Sequence, residues 1–168
     1  MKRSRIALAL VGLVALLVIL YALFSYSAGI DQPIAFNHRL HIEDNGIECI
    51  ECHPYFMGHA VSGLPGGEVC AGCHEEAMTE SPEEKKLVEL LQAGDGVGFQ
   101  KTFNLPDHVY YSHRRHVAIA QLPCENCHGK IAESLSPPRR PLVKVDMDFC
   151  MGCHDDMGVT NDCIACHR

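Results

Sequence analysis

The stretch CENCH occupies residues 124–128, between Pro123 and Gly129. Two cysteines three apart, followed at once by a histidine, form one unit: Cys124, Cys127 and His128. The same unit occurs four more times, as CIECH (Cys49, Cys52, His53), CAGCH (Cys70, Cys73, His74), CMGCH (Cys150, Cys153, His154) and CIACH (Cys163, Cys166, His167). Together the five units use all ten cysteines of the 168-residue chain.

Three ordinary readings fail on the histidine. Disulfides suit an even cysteine count in an exported chain, but they do not call for a histidine after every pair. A zinc ribbon fits the spacing C-x2-C-x17-C-x2-C from Cys49 to Cys73, but has no use for both following histidines. A thioredoxin-like dithiol needs a βαβ setting that this sequence lacks. C-x-x-C-H is the attachment spacing of c-type haem. Two thioethers hold the macrocycle, and the adjacent histidine reaches the iron. The reading is five covalently bound haem c groups, with His53, His74, His128, His154 and His167 as proximal ligands.

Six histidines lie outside these motifs: His38, His41, His59, His108, His113 and His116. Four of them fall in two matching phrases, FNHRLHIEDNGIECIECH from Phe36 and YSHRRHVAIAQLPCENCH from Tyr111. In both, the first histidine precedes the first cysteine by 11 residues, which marks an internal repeat. Two surface histidines three apart are unremarkable alone. Repeated in register with an attachment motif, they read as distal iron ligands. With six candidates for five irons, no iron needs an open position, which favours electron transfer over catalysis.

The N-terminus carries three cations, Lys2, Arg3 and Arg5, before an uncharged run from Ile6 to Phe24. At about 1.5 Å per residue that run reaches about 28 Å, close to a bilayer core. A secretory core is shorter, about 7–15 residues. Residues 1–28 are therefore expected to be a cytoplasmic basic tip and an uncleaved transmembrane anchor, with a cut at Ser25–Ser27 as the alternative. The positive end stays inside and the remainder is exported. All 21 acids but only 11 of the 14 Lys and Arg follow residue 30, so the exported part carries 11 − 21 = −10. That balance excludes nucleic-acid binding and suits basic redox partners.

Residues 29–79 read as a first haem module with two haems, 80–108 as a connector helix and loop, and 109–168 as a second module with three. In the connector, Ser81 is read as N-cap, Pro82 as first helical residue and Glu84 as the partner in a capping box. Leu87, Leu90 and Leu91 share a face and Gly94 stops the helix, which predicts a helix over 82–93. The loop SPPRRPLVKVDMD brings Arg139, Arg140 and Lys144 near Lys130. These side chains would pair with haem propionates or form a docking patch.

The paired phrases resemble class III multihaem cytochromes. In that family the first histidine of F-x-H-x-x-H ligates the next haem and the second reaches a later one. The resemblance implies His38 for the haem on Cys49/Cys52, His41 for Cys70/Cys73, His113 for Cys124/Cys127 and His116 for Cys150/Cys153. The trihaem pattern has a histidine between its first two motifs, and His59 occupies that place. The first module lacks a third haem and the second lacks that histidine, so His59 is expected to cross to the haem on Cys163/Cys166. His108 is left as a possible extra ligand, a donor to another ligand, or plain surface. The implied fold is mainly α and irregular with little or no sheet: one N-terminal transmembrane helix plus a compact haem-packed domain of two class III cytochrome-like modules.

Further phrases, QPIAFNHRLHIEDNGIECIECH, GHAVSGLPGGEVCAGCH, NLPDHVYYSHRRHV and CENCHGKI, are similar to the multihaem cytochrome subunit of alternative complex III and its relative in the periplasmic quinone reductase complex. The likeness covers most of 32–154. It implies a place in the bacterial inner membrane with the haem domain on the periplasmic side. It also implies an iron–sulfur/molybdopterin-like subunit, a polysulfide-reductase-like quinone-binding membrane subunit and periplasmic cytochromes as partners. Two features depart from the family. Phe99 and Phe103 stand where an aromatic and a histidine usually precede L-P-D, and the final CIACHR follows the fourth motif closely.

The leading expectation is a non-catalytic, membrane-anchored pentahaem relay between a quinone-linked complex and periplasmic partners. A stand-alone membrane-anchored quinol dehydrogenase is the alternative. A terminal oxyanion reductase would need a modified motif, and all five are unmodified. The intact mass of the holoprotein is expected to exceed that of the chain by five haems. Since about 40 residues is already marginal without staples, five haems on so short a domain must form its core. Haem-free protein is expected to show no cooperative melt; a cooperative transition without haem would contradict this.

Overall fold

One turn of helix explains the motif spacing. Residues i, i+3 and i+4 lie on one helical face, so a single turn gathers both thiols and the ring. In the computed structural model, which describes residues 2–27, 29–94 and 96–167, each motif is built this way. After α1 (Lys2–Ser27) come α2 (Cys49–Cys52), α3 (Gly67–Ala71), α4 (Pro82–Ala93), α5 (Glu125–His128), α6 (Met147–Asp156) and α7 (Cys163–Cys166). Short 3-10 and π turns fill the intervals. In four motifs the histidine N–H closes the turn on the first cysteine carbonyl, each at 2.9 Å: His53 on Cys49, His74 on Cys70, His128 on Cys124 and His167 on Cys163. Among the described residues there is no strand, only one antiparallel bridge between Val109 and His167. The expected mainly helical and irregular class, without sheet, holds.

The chain divides into two units, Met1–Asp31 and Gln32–Arg168. The first is α1, 26 residues long, with its described apolar side chains exposed. Side chains at 2–4, 7, 9 and 24–27 lie outside the description. This takes in Lys2 and Arg3 of the expected basic tip; Ala28 and Asp95 lie outside it altogether. Counting described residues only, no helix is long and apolar enough to cross a membrane.

The second unit has a thin protein core. Its buried apolar residues are Ile34, Val88 and Val97, while Ile50, Tyr55, Val61, Leu135 and Ile164 are exposed. The connector helix has the expected bounds, and Gly94 ends it in the left-handed region at φ 77°. Its buried residue is Val88, one turn from Leu91 on the leucine face. The capping box does not form. Ser81 makes no side-chain cap, and Glu84 turns back to the loop before the helix, where the Met78 and Thr79 N–H groups donate to it. Those free donors, together with a nearby histidine, offer the carboxylate more than the lone N–H of Ser81.

The two phrases fold alike. Leu40–Asp44 and Arg114–Ile119 are both π-helical turns. Phe36 meets His38 edge-on at 4.8 Å and stacks on His41 at 4.4 Å. Tyr111 meets His113 at 4.8 Å and His116 at 4.6 Å in the same two arrangements. The offset between them is 75 residues, and it carries Cys49 onto Cys124 and His59 onto Ser134. The copies interlock through those last two. The Arg39 N–H donates to Ser134 O at 3.1 Å, and the Arg114 N–H to His59 O at 3.1 Å.

Gly129 follows His128 at φ 60°, ψ −156°, a region essentially restricted to glycine. A Cβ there would also lie 3.2 Å from Val143 and 3.3 Å from Leu142. Gly129→Ala is expected to lower stability by about 2 kcal/mol, read as the denaturation midpoint of the holoprotein. An unchanged midpoint would contradict the assigned strain.

Candidate haem-binding site

Each histidine outside the motifs is placed by its element, and four of the rings face a motif ring. His41 faces His74 with ring centres 6.1 Å apart, His113 faces His128 at 6.3 Å, and His116 faces His154 at 6.2 Å. The stacked aromatic–histidine pairs of the two phrases lie nearer, at 4.4 Å for Phe36–His41 and 4.6 Å for Tyr111–His116. The wider spacing fits a metal between the rings. A metal–nitrogen bond of about 2 Å plus about 1 Å to the ring centre, taken twice, gives about 6 Å. His38 and His53 are electrostatic neighbours; burial, then His53 and His41, lowers the His38 pKa to about 4. Burial, then His113 and His53, lowers that of His128. Both shifts favour the neutral ring that iron accepts.

The other ring nitrogen is held. A carbonyl can only accept, so a carbonyl at Nδ1 fixes the proton there and leaves the Nε2 lone pair for metal. His41 Nδ1 donates to Asn37 O at 2.8 Å, His116 to Ser112 O at 2.9 Å and His113 to Ala60 O at 2.9 Å. His154 donates to Thr160 O at 2.8 Å and His53 to Gly63 O at 3.2 Å. His38 Nδ1 lies 3.3 Å from Ser134 Oγ. That hydroxyl donates its proton to Ile131 O at 2.7 Å, so it accepts from His38. His74 Nδ1 is bonded to a carboxylate, Glu84 Oε1, at 3.0 Å. The Thr79 hydroxyl first, then the Met78 and Thr79 N–H groups, hold Glu84 well below the usual carboxylate range, at about 2.

The last motif departs from expectation. The ring stacked on His167, at 5.5 Å and 27°, is that of His108. The cause is local. The Tyr110 N–H donates to Cys166 O at 2.8 Å and Val109 bridges His167, which lays residues 108–110 along α7. His59, expected opposite His167, packs edge-on against Tyr55 at 5.7 Å. Its contribution is the backbone carbonyl that receives Arg114. A signal for this was present in the sequence: His59 and Ser134 are equivalent in the repeat, six residues after His53 and His128. Phe99 packs on Phe36 and Phe103 edge-on against His128. The expected basic loop is partly neutralised, since Lys130 pairs with Glu133 and Lys144 with Asp146.

None of the ten cysteines is in a disulfide, and among the described residues no three His, Cys, Asp or Glu side chains converge on one metal-sized point. The thiol pairs neighbour one another instead. Burial pushes the thiols of Cys52, Cys70, Cys124, Cys127 and Cys150 up. Neighbouring pairs add to this: Cys73 acts on Cys52, Cys49 on Cys124, Cys150 and Cys153 on Cys127, and Cys166 on Cys150. Beside α2, Ile42, Ile47, Ile50 and Phe56 line an open apolar groove that reaches Cys49. Thiols, fixed imidazoles and apolar walls are the donor set and surroundings that haem c needs.

Residues 109–168 match the family model described as cytochrome c7 and related cytochrome c. The chain is 32% identical to the menaquinone reductase multihaem cytochrome c subunit of Nitratidesulfovibrio vulgaris (strain Hildenborough), the match covering 82% of this chain and 77% of that protein. By its motifs and by that identity and coverage, the chain belongs to this family, the multihaem cytochromes c of quinone reductase complexes.

Proposed function

We propose that the protein is a membrane-anchored pentahaem c-type cytochrome that relays electrons between a quinone-linked membrane oxidoreductase and periplasmic redox partners. The observation that carries this reading is the pairing of histidine rings at four of the five motifs, His41–His74, His113–His128, His116–His154 and His108–His167. With His38 serving the motif of His53, these histidines would hold all five haems by imidazole on both sides, which would leave no position for a substrate. Haem iron, when bound, supplies a one-electron couple; the chain supplies position, ligation and surroundings. Electrostatic contact between the cysteine pairs 70/73 and 49/52, 49/52 and 124/127, 124/127 and 150/153, and 150/153 and 163/166 supports transfer between neighbouring sites.

The proximal ligands are His53, His74, His128, His154 and His167. The distal ligands are His38, His41, His113, His116 and, in place of His59, His108. Residues 29–79 and 109–168 act as two interlocked modules joined by 80–108. Anchoring rests on α1: its 26 residues at about 1.5 Å per residue reach about 39 Å, and Ile6–Phe24 carries no charge. The haem domain then lies on the periplasmic side. The named relative is a menaquinone reductase subunit, which supports a quinone-handling complex here. Its other members are expected to be the iron–sulfur/molybdopterin-like and polysulfide-reductase-like subunits.

Two results test this. Purification from native membranes in mild detergent is expected to bring down a quinone-binding integral subunit with an iron–sulfur subunit. The chain recovered alone, yet reduced by quinol, would make it a stand-alone quinol dehydrogenase. His108→Ala is expected to convert one of the five haems to high spin, while His59→Ala leaves all five low-spin. The reverse pattern would restore His59 as the ligand.

A further inference from the structure

The Nδ1 partners of the ligand histidines differ in kind. At His41, His53, His113, His116 and His154 the acceptor is a neutral carbonyl. At His38 it is a hydroxyl. At His74 it is the Glu84 carboxylate, 3.0 Å away. The bond is shielded from water: the His74 side chain is 18% exposed and that of Glu84 9%. The carboxylate is also fixed. Met78 N–H donates to Oε1 at 3.0 Å, Thr79 N–H to Oε2 at 2.8 Å, and the Thr79 hydroxyl to Oε2. Glu84 lies in the first turn of α4, where the helix dipole favours an anion.

We propose that Glu84 is a positioning residue whose hydrogen bond to His74 gives the haem on Cys70 and Cys73 the lowest reduction potential of the five. The proposal rests on the haem ligation proposed above. A charge-assisted hydrogen bond is about twice as strong as a neutral one. Pulling on the Nδ1 proton makes Nε2 a stronger donor to iron, and stronger axial donation favours the ferric state. The negative charge of Glu84 acts in the same direction. A carbonyl exerts a weaker pull, so the five carbonyl-bound histidines lack this effect.

The test is a redox titration of the full-length holoprotein, wild-type against Glu84→Gln and Thr79→Val, with haem number and spin state measured in each. In Glu84→Gln the lowest-potential component is expected to rise while the other four stay in place. Mere loosening would admit water, which favours ferric iron and moves that component down, so the sign separates an electronic role from a structural one. Thr79→Val keeps the carboxylate but removes a competing donor. It is expected to lower the same component, a direction that loosening shares, so the rise in Glu84→Gln carries the distinction. A lowest component that stays or falls in Glu84→Gln, or rises in Thr79→Val, overturns the role of Glu84 alone. Wild-type protein with fewer than five haems, or with high-spin iron, overturns the ligation beneath it.

Discussion

A hydrogen bond at histidine Nδ1 is the constraint on which the rest of the structure depends. An imidazole free to rotate or to exchange its proton is a poor axial ligand. Tied at Nδ1, it has one tautomer and one orientation. Most of these ties run to backbone carbonyls, so the fold of the loops is what aims the rings. The loops in turn have little else to hold them. Three buried apolar residues are far short of the core that an ordinary domain of this length assembles. Bound macrocycles and aimed imidazoles therefore stabilise each other, and neither is expected to form alone.

The ties also explain why the two modules are not independent. His38 bonds to Ser134 in the second module, and His113 to Ala60 in the first. Arg39 and Arg114 make the matching backbone bonds to residues 134 and 59. Each copy thus orients the first ligand histidine of the other. A duplicated unit that closes this way holds its two copies in register. The position shared by His59 and Ser134 serves as a latch in both copies. A histidine is tolerated there because its carbonyl makes the contact.

Much of this was legible in the chain. C-x-x-C-H needs only one helical turn, so its meaning is local. The repeat could be read because its geometry is also local: the aromatic that stacks on the second histidine and meets the first edge-on lies five residues or fewer from both. The limits of α4 followed from Pro82 and Gly94, whose backbone preferences act within one residue. What failed depended on distant partners. Glu84 fits a capping box by spacing, yet the loop at 78–79 and His74 supply better donors. The role of His108 stays open in the sequence because α7, against which it lies, is almost sixty residues away and is brought near by a single bridge. His59 holds the place of the intervening histidine in the trihaem pattern, but its ring packs against Tyr55 and not against His167. The loop cations suit propionates or a docking patch by sequence, and two of them, Lys130 and Lys144, also find an acid within three residues.

The central claim is that histidine closes both axial positions of every iron. Electron paramagnetic resonance of the oxidised protein, joined to near-infrared magnetic circular dichroism, tests it most directly. The account predicts low-spin bis-imidazole iron at all five sites and nothing else. A high-spin signal, or the charge-transfer band of a methionine-ligated iron, would contradict it. High-spin iron would mean an open position and chemistry beyond a relay, whereas a methionine band would replace one histidine ligand and leave a relay in place.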